Sequence, residues 1–419
     1  MPASWNKKYK IGILAAILCV IVAYIPTAEA STRMLQTVTE DGVLFRVYFE
    51  KGIGPEQYYY AYEVLQASKA AYRKVVSEYG FNRKGYTFSQ PTNLFAYDID
   101  KVIDVYISDV PAPYALMTPA GGLEYKAQIY VPQDFRAYRQ RYNITQPELE
   151  LAASLTHELL HIVTFSYNRN MQASWQGKTS LTSHRWDWYT EGLARYFEAL
   201  AGYQEEFLSS GYRKKRGDKI EVYKGGINYF LKYPDRALGE RKYDFAIFWQ
   251  YLHHKYGMDK IEEVSFKFRE VDPSSCSNQQ AMEIIAQTLQ VTLGKLLADF
   301  SLYVYESSAL GNQANGLNPV LTLKLSARER GLHSLSSFGF DFHQADLSET
   351  EVKSIQISKQ EALTCVAVAA SENDLKPLPV EKSLDGIRID TAGLDQDCKV
   401  IIMLTNPTDY SLTYRISTN

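Results

Sequence analysis

The chain has 419 residues, 48 acidic against 45 basic side chains, and 46% hydrophobic residues. This composition excludes disorder and collagen-like repeats and is rich enough to bury a sizeable core. Near-balanced charge provides no basic excess to grip a phosphate backbone, so no nucleic-acid partner is expected. Four cysteines in this length do not form a disulfide scaffold, and the 32 tyrosines lean toward β-structure.

The first thirty residues read as an address. Lys7, Lys8 and Lys10 precede an uninterrupted apolar run, residues 11–25. Pro26 breaks the run, and Ala28-Glu29-Ala30 has the small-x-small pattern of a signal-peptidase site. The run is shorter than the ~20 residues a membrane helix needs, and Leu18 ahead of Cys19 gives no lipidation spacing. Cleavage after Ala30 is therefore expected, with a secreted or periplasmic chain and no membrane partner once the signal is removed. Losing three lysines and one glutamate takes the formal charge from −3 to −5.

Beyond Ala30, residues 43–50 read as a strand, and residues 56–79 as a helix. Ala61, Val64, Leu65, Ala71, Tyr72 and Val75 recur at helical spacing there, with Ser68 the small polar residue on the same face. Residues 101–110 and 128–131 are predicted as two further strands, the second after Gly121-Gly122. From Thr145 to about Asn228 the pattern is mostly helical, with an irregular insertion over 168–185. Helices are predicted over 243–256 and 279–305, and the turn-rich segment 311–318 marks a hinge. The periodicity then changes to two, and 352–358, 363–370, 386–390, 399–406 and 411–417 read as short strands. The layout implies an α+β fold: a body over 31–310 in which a small sheet precedes a mostly helical half, a linker over 311–335, and an antiparallel β-sandwich appended over 336–419.

Residues 157–161 read His-Glu-Leu-Leu-His. On a helix, His157 and His161 lie one turn apart on one face, so both imidazoles reach a single ion, while Glu158 stands beside it. Thr145 with Glu148 forms a capping-box pair, and Leu151, Ala152, Leu155, Leu159, Ile162 and Val163 make the apolar stripe that supports the helix. With only seven histidines in the chain, on the order of 0.01 such matches arise by chance. Residues 186–198 supply a third donor in Glu191, on a helix expected to begin at Thr190 as N-cap. Two imidazoles and one carboxylate leave a fourth tetrahedral position for water, the catalytic type of zinc site. Glu198, seven residues on, is placed to accept a hydrogen bond from a ligand histidine.

These two motifs, His157-Glu158-Leu-Leu-His161 and Trp186-Asp-Trp-Tyr-Thr-Glu191-Gly-Leu-Ala-Arg-Tyr-Phe-Glu198, resemble the gluzincin metallopeptidases of the thermolysin-like clan, closest to the secreted peptidase MA-like group. The resemblance spans about 45–309 and is strongest over 150–200. It implies a zincin-type catalytic domain, zinc held by His157, His161 and Glu191, Glu158 as general base, and a peptide or protein substrate. It also implies that the strand before the motif helix, 127–131, is a sheet edge that pairs with substrate backbone. Threonine precedes Glu191 where many relatives have asparagine, and the gap between the motifs is longer than in thermolysin. Several clan members place a tyrosine hydroxyl opposite the metal, in a Tyr-x-x-Gly setting before an apolar helix. The match here is Tyr243, with Ala246 where glycine is usual; Tyr223, Tyr229 and His184 are the reserves.

Other features carry less. Gly121-Gly-Leu-Glu124 loosely resembles the element with which related aminopeptidases hold a free N-terminus, and also reads as a glycine turn feeding a strand. His253-His254 has no acid at ligand spacing and reads as structural. Asn143-Ile-Thr145 is a glycosylation sequon that a capping threonine explains equally. Trp175, Trp186 and Trp188 either line a cleft or pack in the core. In an oxidising compartment, Cys365 and Cys398, each in or beside a predicted strand, are expected to pair and leave Cys276 free. The expectation is an exported zinc peptidase, an endopeptidase before an aminopeptidase. The rival from another class is a non-catalytic binding or adhesion protein with a vestigial zinc site, against which stands the complete set of ligands and base.

Overall fold

The computed structural model describes residues 32–39, 42–50, 55–81, 98–121, 124–133, 147–168, 170–171, 186–203, 212–216, 219–223, 225–309, 332–346, 354–358, 362–370, 375–383, 386–394 and 398–418. The expected signal segment, the sequon at Asn143, the capping Thr145, Trp175, His184 and the segment 311–331 lie outside this set. The fold is α+β, with eight α-helices among the described residues. None of those helices is long and apolar enough to cross a membrane.

Strands β1 (Thr32–Val38), β2 (Leu44–Glu50), β3 (Asp98–Ser108), β4 (Tyr114–Gly121) and β5 (Glu124–Pro132) form one sheet in the order β1-β2-β3-β5-β4. The inner strands β2, β3 and β5 are parallel, and the outer two run antiparallel to their neighbours. Alternation sets the two faces. Phe45, Val47, Ile103, Val105, Ala115, Met117, Ala127 and Ile129 are buried beneath helices α1 (Pro55–Tyr72) and α2 (Pro147–Tyr167). On the other face Tyr48, Tyr106, Tyr130 and Tyr114 stand in register and stack successively, with ring centroids 4.9, 5.1 and 4.7 Å apart. Such cross-strand pairs stabilise a sheet by about 0.2–1 kcal/mol each, which accounts for some of the tyrosine excess.

Two expectations about strands in this body need correction. The strand over 127–131 is not an edge, because β5 lies between β3 and β4. The edge on that side is β4, whose Pro119 reads as a breaker yet is tolerated in an outermost strand, beside a register irregularity. Likewise, the stretch expected to be helical up to Asn228 contains a β-hairpin, β6 (Tyr212–Arg216) with β7 (Lys219–Tyr223), since Lys-Ile-Glu-Val-Tyr alternates with period two.

The helical half continues with α3 (Asp187–Leu200), α4 (Ile227–Lys232), α5 (Ala246–Tyr256), α6 (Met258–Lys267), α7 (Asn278–Thr288) and α8 (Leu293–Ala309). The helix expected over 279–305 is split at Gln290, whose φ is +57°. A capping box of Ser277 and Gln280 starts α7.

The C-terminal part is an antiparallel β-sandwich, and it begins earlier than 336. Strand β8 (Leu332–Leu335) already belongs to it, followed by β9 (Phe340–Asp346), β10 (Ser354–Ser358), β11 (Thr364–Ala370), β12 (Leu375–Pro377), β13 (Val380–Ser383), β14 (Gly386–Asp390), β15 (Lys399–Thr405) and β16 (Leu412–Thr418). One sheet has the order β13-β14-β10-β16-β8, the other β12-β11-β15-β9. The expected Cys365–Cys398 bridge is absent, and both are free thiols. Register explains why. Cys365 faces Leu404 across the β11–β15 ladder, whereas Ala370 faces Lys399. Cys398 therefore lies about six residues, or ~20 Å, along the strand from Cys365's partner, far beyond the ~7 Å that a disulfide tolerates between Cα atoms.

Nor is the sandwich an appendage. Phe338, Phe340, Phe342, Val368, Ile401 and Met403 share one core with Phe230, Phe245 and Phe300 of the helical half. Backbone bonds stitch the sandwich to the loop after α4: Phe340 N–H donates to Pro234 O at 2.9 Å and Leu238 N–H to Ser337 O at 3.0 Å. Arg241, wholly buried, ties that loop together by donating to Asp244 at 3.0 Å and to the carbonyls of Pro234 and Arg236 at 2.6 and 3.0 Å. Gly339 is required at the contact, since a Cβ there would lie 2.6 Å from Asp235 O. Gly339→Ala should cost about 1–3 kcal/mol through overpacking, read as a lower urea midpoint. A midpoint equal to wild type would show that the loop yields freely.

Candidate metal centre

Helix α2 opens with Pro147 in its first turn, where a missing N–H costs nothing. Helix α3 begins at Asp187, not with Thr190 as N-cap. Trp186 flanks it, and Thr190 is already inside, its Oγ1 donating to Trp186 O at 3.4 Å. The aromatic core draws that extra turn into the helix. Trp186 and Trp188 are buried and stack on each other, and Trp188 stacks on Trp249. These tryptophans are core, not cleft lining. Every residue from Asp187 to Glu198 is buried, so α3 is held on all sides where it crosses α2.

That crossing brings the expected residues together. His157 Nε2 lies 3.4 Å from Glu191 Oε2, and His161 Nε2 lies 3.9 Å from Glu191 Oε1. The three donor atoms fall within 4.8 Å of one another, the one group of metal-ligating side chains so arranged among the described residues. Tetrahedral zinc with bonds near 2.1 Å separates its donors by about 3.4 Å, close to the observed spacing. Glu191 Oε2 is buried without a hydrogen-bond partner, as a carboxylate oxygen left for a cation would be. The donor set fits a divalent ion of the zinc type.

The surrounding contacts orient the donors. Glu198 Oε1 is 2.5 Å from His157 Nδ1, which turns the other ring nitrogen toward Glu191. Arg195 Nη1 donates to the second Glu198 oxygen at 2.6 Å. Tyr243 enters from the turn ahead of α5, its ring 6.0 Å from that of His157. Gly192 makes this approach possible, since a Cβ there would lie 3.1 Å from Lys242 O and 3.3 Å from Trp249 Nε1. Lys242 Nζ pairs with Asp187 Oδ2 at 2.6 Å, pinning the same turn to α3.

Electrostatics separates the carboxylates. Burial, joined by the charges of Glu191 and Glu198, raises Glu158 to about 7, against the pull of His157 and the adjacent Ala115 N–H. Burial also penalises a charged Glu191, but His157, His161 and Lys242 hold it well below the usual carboxylate range. Burial disfavours a charged His157, yet Glu198, Glu191 and Glu158 raise its pKa to about 10. His161 is lowered to about 4 by burial and by His157. Burial and the adjacent Glu191 raise Tyr243 well above its ordinary value, so its hydroxyl stays a donor at neutral pH.

The remaining candidates lie elsewhere. Tyr229 packs on Tyr233 under Arg236. His253 Nδ1 meets Tyr196 OH at 2.6 Å, and His254 rests against Tyr303. Arg195, Lys242, Asp187 and Ala115 were not singled out in the sequence. Arg195 sits four residues after Glu191 and three before Glu198, a spacing that puts all three on one helix face. Neither a protein-family model nor a curated protein matches this sequence.

The donor set makes metal binding measurable without any activity. Chelator-stripped protein titrated with zinc should gain thermal stability, by about 2.7 kcal/mol at a hundredfold excess over Kd. His161→Ala should abolish the gain, and Glu198→Gln should weaken affinity about 10- to 100-fold. Equal melting curves with and without zinc would show that the cluster holds no ion.

Proposed function

We propose that this protein is an exported zinc peptidase of the gluzincin type, built on a zincin-type domain and cleaving within peptide chains. The observation that carries the reading is the buried convergence of His157, His161 and Glu191 with Glu158 and Tyr243 beside them. His157, His161 and Glu191 would hold the ion. Bound zinc supplies Lewis-acid polarisation and acidifies a water to a pKa near about 7.

The chain's own groups do the rest. Glu158, with a pKa near 7, is matched to accept a proton from the attacking water and return it to the leaving amine. Glu198 fixes the tautomer of His157. Tyr243, neutral and partly exposed beside Glu191, supports donation to the oxyanion of the tetrahedral intermediate. Ala115, adjacent to the Glu158 carboxylate, lies on edge strand β4, so an extended substrate laid along β4 brings its backbone past the base. An edge that accepts a continuing chain favours internal cleavage.

Two substitutions test this assignment. Glu158→Gln should keep zinc and lose at least about 10²-fold in hydrolysis of casein or a blocked internal peptide. Retained zinc with unchanged hydrolysis would sink the mechanism, and cleavage confined to unblocked N-termini would make the enzyme an aminopeptidase. Tyr243→Phe should lower kcat by about 10²–10³-fold while KM and zinc content stay near parental values. A folded, zinc-loaded Tyr243→Phe with parental kcat would leave Tyr243 a packing residue.

A further inference from the structure

Arg195 lies between Glu191 and Glu198 on one face of α3 and is buried. Two contacts of its guanidinium matter here. Nη1 donates to Glu198 Oε2 at 2.6 Å, while the other oxygen of that carboxylate faces His157 Nδ1. Cζ stands 4.5 Å from the centroid of the Tyr243 ring. We propose that Arg195 is a positioning residue of this site, one guanidinium fixing both the ring whose hydroxyl faces the reacting carbonyl and the carboxylate that orients a ligand histidine. The Tyr243 half rests on the peptidase reading; the Glu198 half does not.

The geometry requires arginine and not merely a positive charge. Tyr243 belongs to a turn from a separate segment, and rotation of a phenol ring about its bond to Cβ is broad and roughly two-fold. A planar cation lying over one face selects the ring orientation, and the same plane presents an N–H to Glu198 along its edge. Glu198 held at one oxygen offers the other to His157 in a single direction. A lysine ammonium is a point donor on a flexible stem and cannot cover the ring face and hold the Glu198 hydrogen bond together. If Arg195 only neutralised Glu198, lysine would substitute without loss.

The test uses Arg195→Lys and Arg195→Met in the full-length protein, singly and combined with Tyr243→Phe or Glu198→Gln. Zinc affinity is read by competition with a chromophoric chelator, kcat and KM on a blocked internal peptide. Arg195→Met should weaken zinc about tenfold through the released Glu198, and adding it to Glu198→Gln should cost little more. At saturating zinc Arg195→Lys should lower kcat about tenfold or more with KM nearly unchanged, and added to Tyr243→Phe it should cost less than about twofold, because the hydroxyl it aims is gone. Added guanidinium ion should restore part of the kcat of Arg195→Met and none of that of Tyr243→Phe. Parental zinc affinity and kcat in Arg195→Lys and Arg195→Met together would overturn the proposal, as would losses from Arg195→Lys and Tyr243→Phe that multiply in full. If the wild-type protein cleaves no peptide, the peptidase reading fails, and the zinc-affinity cycle with Glu198→Gln still decides the role of Arg195.

Discussion

Three carboxylates, Glu158, Glu191 and Glu198, are buried within one crossing of two helices, and the local architecture follows from having to keep them there. An isolated carboxylate in such surroundings is costly, and an unpaired one reverts to its neutral form. The structure meets this with positive or protonatable groups at fixed positions: His157 against Glu198, Arg195 against Glu198, and Lys242 close to Glu191 although its salt bridge is to Asp187. Buried pairs of this kind do little for net stability. They persist because α3 is packed on every side and cannot turn its acids to solvent. The aromatic stack of Trp186, Trp188 and Trp249 is thus the mechanical counterpart of the charged cluster.

The same logic connects the sandwich to the site. Tyr243 and Lys242 are reached through the loop that Arg241 organises, and that loop is hydrogen-bonded to Ser337 and Phe340 at the root of the sandwich. Arg241 stacks over Phe230, which touches Phe340 in turn. A β-domain with its own inner core therefore also buttresses the turn that faces the proposed catalytic centre. Its removal would strip apolar cover from α8 and free that turn, so a truncated body is a poor surrogate for the whole protein.

How much of this was legible in the sequence differs by element, for physical reasons. The histidine pair and Glu158 follow from helical spacing alone. Glu198 was visible because seven residues is two turns, which returns it to the face of Glu191. Tyr243 came forward only through the resemblance to the thermolysin-like clan, despite Ala246 where that pattern has glycine; the glycine that permits close approach is Gly192, on α3. Strand β4 was hidden because Pro119 signals a break, and only the sheet order reveals that it lies at an edge. The Cys365–Cys398 pairing failed because period-two alternation identifies strands but carries no register. Arg195 was passed over because a basic residue three positions from an acid on a helix reads as a surface ion pair; burial gives it another meaning.

Glu158 and Glu191 show how one residue type is driven toward opposite charge states by its surroundings. Both are buried, and burial disfavours the charged form of each. Glu191 aims its oxygens at the two ring nitrogens and is held in its charged form, the state a ligand needs. Glu158, one residue along from His157, cannot lie on the axis between the imidazoles. Burial first, and then the like charges of Glu191 and Glu198, raise its pKa to about 7, where a group both takes and gives a proton. Environments that drive two carboxylates apart in this way distinguish a proton carrier from a fixed charge. The division is set by where each acid stands: Glu191 reaches the imidazoles from α3, whereas Glu158 shares α2 with His157 and is turned about 100° from it around the axis.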